Sequence, residues 1–151
     1  MCLRRCSVLL VWPTLQLARA IACLAVGKEG EVYAWGSNHA GQLGLVHGTG
    51  HTALTPREVP DLNGAVAVAA GSDHSFVLNR DGTVVACGWN SGGQLGLGDT
   101  VQRDTFTVVA DILRVVDIDA GEKHTIAVTA DCTPGARDGR WVMEEMTTHN
   151  T

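Results

Sequence analysis

The chain has 151 residues, a formal net charge of -5, 45% hydrophobic residues, 18% charged residues and 18 glycines. So much apolar side chain with so little charge excludes disorder throughout. No Lys/Arg cluster beyond Arg4-Arg5 exists to neutralise a row of phosphates, which disfavours direct nucleic-acid binding.

Residues 1–20 run from Arg4-Arg5 through a mostly apolar stretch, Ser7 to Leu17, broken by Pro13, Thr14 and Gln16, to Ala18-Arg19-Ala20. That order outlines a secretory signal peptide, and the apolar run falls short of the ~20 residues of a membrane span. The competing reading is a degenerate strand, since Thr14, Gln16 and Ala18 stand one repeat before Val66, Val68 and Ala70. No N-x-S/T acceptor occurs, and Cys2, Cys6, Cys23, Cys87 and Cys132 form no C-x-x-C pair. Buried thiols in a reducing compartment are expected, hence an intracellular product, cytoplasmic or nuclear. It is secreted instead if residues 1–20 are cleaved.

From Gly30 the chain repeats itself, and a period of this size marks solenoids and propellers. Gly30 to Leu45, GEVYAWGSNHAGQLGL, lies over Gly82 to Leu97, GTVVACGWNSGGQLGL, at an offset of 52 residues with ten of sixteen positions identical. AGSDHSFVL from Ala70 lies over AGEKHTIAV from Ala120 at an offset of 50. Within a unit, Val66, Val68 and Ala70 share a parity, as do Val116, Ile118 and Ala120, the latter alternating with Asp117 and Asp119 in the period-2 pattern of a strand with one wet face. Strands are predicted next over 75–78 and 125–128, then an Asp81-Gly82 turn, a strand over 83–86, and a fourth over 106–109. Four-stranded antiparallel sheets recurring every 40 to 50 residues are what a β-propeller is built from. The fold class expected is all-β, a partial β-propeller of two to three blades, with residues 1–20 signal-like or a degenerate strand, 21–131 the repeats and 132–151 a divergent, frayed tail.

The order A-G-x-x-H, apolar strand, D-G-x-V-x-x-x-G-x-N and G-Q-L-G-x-G-D resembles the regulator-of-chromosome-condensation repeat, a family of seven-bladed propellers. The motif positions are Gly36, Asn38, Gly41, Gln42, Leu43 and Gly44 in one unit, Gly71, His74, Gly88, Asn90, Gly93, Gln94, Leu95 and Gly96 in the next, and Gly121 and His124 in a third. Three departures stand out. The A-G-x-x-H positions of the first unit fall on Ala18, Arg19 and Ala22, without Gly or His; Cys87 stands where the first unit has Trp35; and Cys132 replaces the turn glycine of the third.

The same residues carry little chemistry. Glycines 41, 44, 93 and 96 offer exposed amides of the kind that bind anions, but no G-K-[ST] follows and the loop occurs twice, so they read as tight turns at positive φ. Gln42 and Gln94 are expected to hydrogen-bond neighbouring backbone. His74 and His124 recur rather than converge with a nucleophile and an acid, so they read as turn-locking residues and not as bases. His47 and His51 lack a third ligand at metal spacing, and Ser75 and Thr125 lack the context of a hydrolase nucleophile. No cofactor, metal or catalytic residue is expected.

The expected function is a non-enzymatic protein-interaction module, a piece of a scaffold or small-GTPase regulator. The resemblance also implies guanine-nucleotide exchange on a small nuclear GTPase as an alternative, and cleavage after Ala20 would imply a secreted adhesive propeller. The expected partner is a protein, a small GTPase among them, with no direct nucleic acid and no membrane span. Self-association through exposed blade edges is also expected, with Val116, Ile118 and Ala120 forming one exposed apolar face.

Overall fold

The computed structural model describes residues 21–45, 51–131 and 140–145, and the signal-like segment 1–20 lies outside them. Ten strands and no helix occur among the described residues: β1 (Ala22–Val26), β2 (Val32–Ser37), β3 (Thr52–Glu58), β4 (Ala65–Ala70), β5 (His74–Asn79), β6 (Val84–Gly88), β7 (Arg103–Val108), β8 (Val115–Ala120), β9 (Thr125–Asp131) and β10 (Arg140–Glu145). They form three antiparallel sheets in the orders β1-β2-β3, β4-β5-β6-β7 and β10-β9-β8, three consecutive blades.

Local chemistry explains where the strands of the middle blade start and stop. At the β5–β6 turn, Gly82 takes φ +83 and its amide donates to the Asn79 carbonyl at 3.0 Å. The Thr83 amide and hydroxyl both donate to Asp81 Oδ1, at 3.0 and 2.7 Å. Thr83 is thereby held in the turn, and β6 starts one residue later than its pattern predicts. β7 starts three residues before the predicted 106–109, because its register to β6 runs on past a bulge to the Gly88↔Arg103 pair.

The alternation of side chains decides the packing. Phe76 and Leu78 on β5, with Val84 and Ala86 on β6, face the third blade and join Leu95, Val115, Ile118 and Ala127 in one apolar core. Val77 and Val85 face the other way and join Leu24, Val32, Ala34, Leu43 and Val68 in a second. The middle blade is covered on both sides, so β5 and β6 read as continuous apolar runs rather than alternating ones.

Two findings differ from the sequence pattern. Bulges between Ala65 and Ala67 and between Val115 and Asp117 each place an extra residue in the inner strand and shift its parity. Val116 is therefore 42% exposed, while Ile118, expected beside it on an exposed face, is 4% exposed and packed against the middle blade. In the tail, β10 pairs with β9 from Arg140↔Asp131 to Glu145↔Ile126, so a strand lies where the sequence shows only divergence; Cys132 and its neighbours up to 139 fall outside the described residues.

The inner edge of β8 is chemically guarded. Asp117 Oδ1 accepts from the Ile118 amide at 3.1 Å and Asp119 Oδ1 from the Ala120 amide at 3.0 Å. Two edge donors are thus occupied by the strand's own carboxylates, and the negative charge opposes pairing with another strand.

Candidate functional site: blade seams and one rim

The repeated G-Q-L-G loops are wedges driven into the seams between blades. Leu43 belongs to the core between the first and second blades and Leu95 to that between the second and third, and both are fully buried. Asn90 shapes the second loop: its Oδ1 accepts from the Leu95 amide at 2.9 Å, and its Nδ2 donates to the Asp99 carbonyl and Oδ1 and to the Val101 carbonyl. Asn38 Oδ1 accepts from the Leu43 amide at 3.0 Å in the first loop. Gln42 Oε1 accepts from the Ala40 amide and Gln94 Oε1 from the Gly92 amide, each at 2.9 Å. Gln42 Nε2 also reaches Ser37 Oγ and, across the seam, Asp73 Oδ1, both at 3.4 Å.

Glycine is required where a loop touches the next blade. A Cβ on Gly41, at φ +78, would lie 2.6 Å from the Cα of Asp104, and one on Gly44, at φ +63, would enter the Phe106 ring. Glycines 93 and 96 take the matching φ values of +73 and +66. Gly36 and Gly88 lie in β2 and β6, where their positive φ accompanies the strand irregularities facing β3 and β7.

The two motif histidines have different surroundings. His74 is 1% exposed; its Nε2 lies 3.1 Å from Thr125 Oγ1 on the third blade, and that hydroxyl donates onward to the Gln94 carbonyl at 3.4 Å. Its ring meets Phe76 edge-on with centroids 5.8 Å apart, and its Nδ1 is buried with no hydrogen-bond partner. Burial pushes its pKa below the ordinary value, against a hydrogen bond to the His124 backbone and the Asp73 charge, which act upward; the His124 charge acts downward. His124 itself is exposed. One repeat before His74 stands Ala22, and one repeat before Thr125 stands Ser75, whose hydroxyl is buried without a partner. The orphan hydroxyl and the missing imidazole belong to the same seam, between the first and second blades.

The strand ends at this edge form a rim. The Trp89 amide donates to the Asp73 carbonyl at 2.7 Å, and Gly88 pairs with Arg103, so Asp73, Trp89 and the 99–103 loop share one end of the middle blade. Trp89 is 46% and Val101 60% exposed. Arg103 pairs with Asp99 at 2.6 Å, and Glu122 and Lys123 are exposed on the third blade. Trp89 and Val101 lie outside the repeated motif; the signal was Trp89 itself, standing where the first unit has Ser37.

Chemistry of other kinds has little footing here. His51 stacks on His39 with centroids 4.8 Å apart, while His47 lies outside the described residues. Among the described residues no group of three His, Cys, Asp or Glu is placed to hold a metal. Burial pushes the Cys87 thiol well above its ordinary pKa, keeping it protonated and a poor nucleophile.

Residues 29–78 and 81–128 match the family model of the regulator of chromosome condensation (RCC1) repeat. The chain is 40% identical over 111 residues to the probable E3 ubiquitin-protein ligase HERC3 of Homo sapiens, covering 71% of this chain and 10% of that protein. It is 38% identical over 111 residues to the ultraviolet-B receptor UVR8 of Arabidopsis thaliana, covering 71% of this chain and 25% of the receptor. The crystal structure of Prp20p from Saccharomyces cerevisiae, a protein described by its binding to Gsp1p and histones, superposes with a TM-score of 0.63 at 24% identity, covering 72% of this chain and 29% of Prp20p. The chain thus spans a quarter or less of the length of these two curated relatives.

Proposed function

This chain belongs to the regulator of chromosome condensation (RCC1) repeat family, and from that premise we propose that it acts as a protein-interaction module whose contacts lie on the rim carrying Trp89. The observation that carries this is the division of labour among residues. The repeated Gln, Leu and Asn side chains are engaged within the blades and their seams, while Trp89, which differs from its counterpart Ser37, stands half exposed just past the end of β6. A half-exposed Trp beside an exposed Val is the kind of anchor that dominates protein–protein contacts. The repeated residues serve as the frame, and no residue is assigned a catalytic role; the ligase named among the relatives is about ten times the matched length, and its activity is not carried over.

A small GTPase is the partner class the family implies, and a basic protein is the route by which this net-negative chain would reach chromatin. The test immobilises the full chain and a Trp89→Asp variant of equal thermal stability. Loss of the bound proteins on the variant supports the reading, and identical binding overturns it. A salt-sensitive shift of duplex DNA at micromolar protein and near-physiological salt would overturn the expectation of no direct nucleic-acid contact. Faster nucleotide release from a small GTPase would favour the exchange-factor alternative over a binding module.

Self-association and an intracellular location belong to the same proposal. Ile126 and Val128 lie on the opposite face of β9 from Ala127 and are half-buried, leaving apolar surface for a further blade or a second copy. Sedimentation that is independent of concentration would remove the second copy. Recovery from the medium of a form beginning at Ile21 would replace the intracellular location with secretion.

A further inference from the structure

The buried imidazole of His74 has no task in partner binding, and its position on a seam gives it another. Thr125 Oγ1 donates to the Gln94 carbonyl, so at Nε2 it is placed to accept, which puts the His74 proton on Nε2 and leaves Nδ1 as a bare lone pair. The ring is clamped. A Cβ on Gly71 would collide with it and would lie 2.5 Å from the Gly121 carbonyl of the third blade, so the two blades meet closely around the imidazole. A proton arriving from solvent at Nδ1 would create a cation inside the seam, where burial outweighs the His124 backbone and Asp73 that favour it. Such a group favours separation of the surfaces that bury it.

We propose that His74 is an acid-sensitive latch between the second and third blades, closed when neutral through Nε2–H to Thr125 and opened by protonation at Nδ1. The charged groups in reach are Asp73, at the head of β5 on its own blade, and His124, across the seam. Burial disfavours the cation and outweighs the His124 backbone and Asp73, which favour it, while the His124 charge also opposes it, so the folded-state pKa lies below the ordinary 6.5. A group whose pKa is depressed by folding contributes stability in full above the unfolded value and loses it as pH falls towards the folded value. The seam therefore weakens from about pH 6.5 downward. The other seam has Ala22 in place of the histidine and carries no such switch. Because Asp73 and Trp89 lie on one side of the latch and Glu122 and Lys123 on the other, opening would move the rim apart; that consequence rests on the interaction reading, whereas the latch does not.

Amide hydrogen exchange on the full chain, without any partner, tests the latch at pH 7.5 and pH 5 after correction for intrinsic rates. Protection of the Asp119 and Ile126 amides should fall by about threefold or more relative to those of Ala25 and Tyr33. His74→Gln keeps an amide N–H near the Nε2 position and cannot titrate, so it should abolish that difference, while His124→Gln on the exposed face should leave it intact. Should His74→Gln fail to fold, the NMR titration of the His74 Cε1 proton in the unaltered chain decides. A midpoint at or above 6.5, or equal loss of protection at both seams, overturns the proposal; a depressed midpoint with loss confined to the second seam supports it.

Discussion

Two seams of the same architecture are closed by different chemistry. Between the first and second blades the side-chain bond across the gap is Gln42 to Asp73 at 3.4 Å, and the Ser75 hydroxyl is left orphaned opposite the blade that carries Ala22. Between the second and third, His74 reaches Thr125 at 3.1 Å, and Thr125 passes the connection on to the Gln94 carbonyl. Both rest on a leucine wedge and an aliphatic core. The difference teaches that one apolar frame accepts different polar links, and that the histidine makes the second of them titratable.

The largest effect comes from the part the seams share. Leu43→Ala and Leu95→Ala should each destabilise by about 2–5 kcal/mol, since both remove a fully buried side chain and leave a cavity. Urea unfolding of the two variants checks this, and a markedly smaller loss at Leu43 would show that the first seam is packed loosely. Next comes Gly71→Ala against Gly121→Ala. The first forces a methyl into both the His74 ring and a backbone carbonyl of the facing blade, an overpacking cost of about 1–3 kcal/mol. The atoms nearest the second belong to the ring of His124, an exposed side chain, and the change should lie within about 0.5 kcal/mol of the parent. Equal losses would erase the contrast between the seams.

The smallest effect is the sharpest test of it. Thr125→Val removes the acceptor of His74 and should cost about 1–2 kcal/mol. Ser75→Ala deletes a buried hydroxyl with no partner and should be neutral or stabilising by up to about 1 kcal/mol. Thermal unfolding of both at pH 7.5 measures the pair, and a loss for Ser75→Ala equal to that for Thr125→Val would mean that the first seam supplies Ser75 with a partner after all.

Strand order and the spacing of the repeat were open to reading because they are local: glycine marks the turns, and Val, Ile, Phe and Thr fill the strands between them. The histidines, glutamines and wedge leucines were found by self-similarity alone. What escaped was the consequence of each bulge, because one inserted residue reverses the parity by which a face is read. Val116 and Ile118 look equivalent in the pattern and are 42% and 4% exposed. β10 escaped too, since Arg140–Glu145 pairs with β9 without any of the motif that marks the other units.

By itself the sequence determined the family, the all-β class, the period and the positions where only glycine fits, because these follow from backbone sterics and from residues that recur at fixed spacing. The tertiary structure alone decided which of two identical histidines is buried. His74 and His124 follow the same Ala-Gly, but a blade covers the first and solvent covers the second, and burial, charge and reactivity depend on that neighbour rather than on the residue.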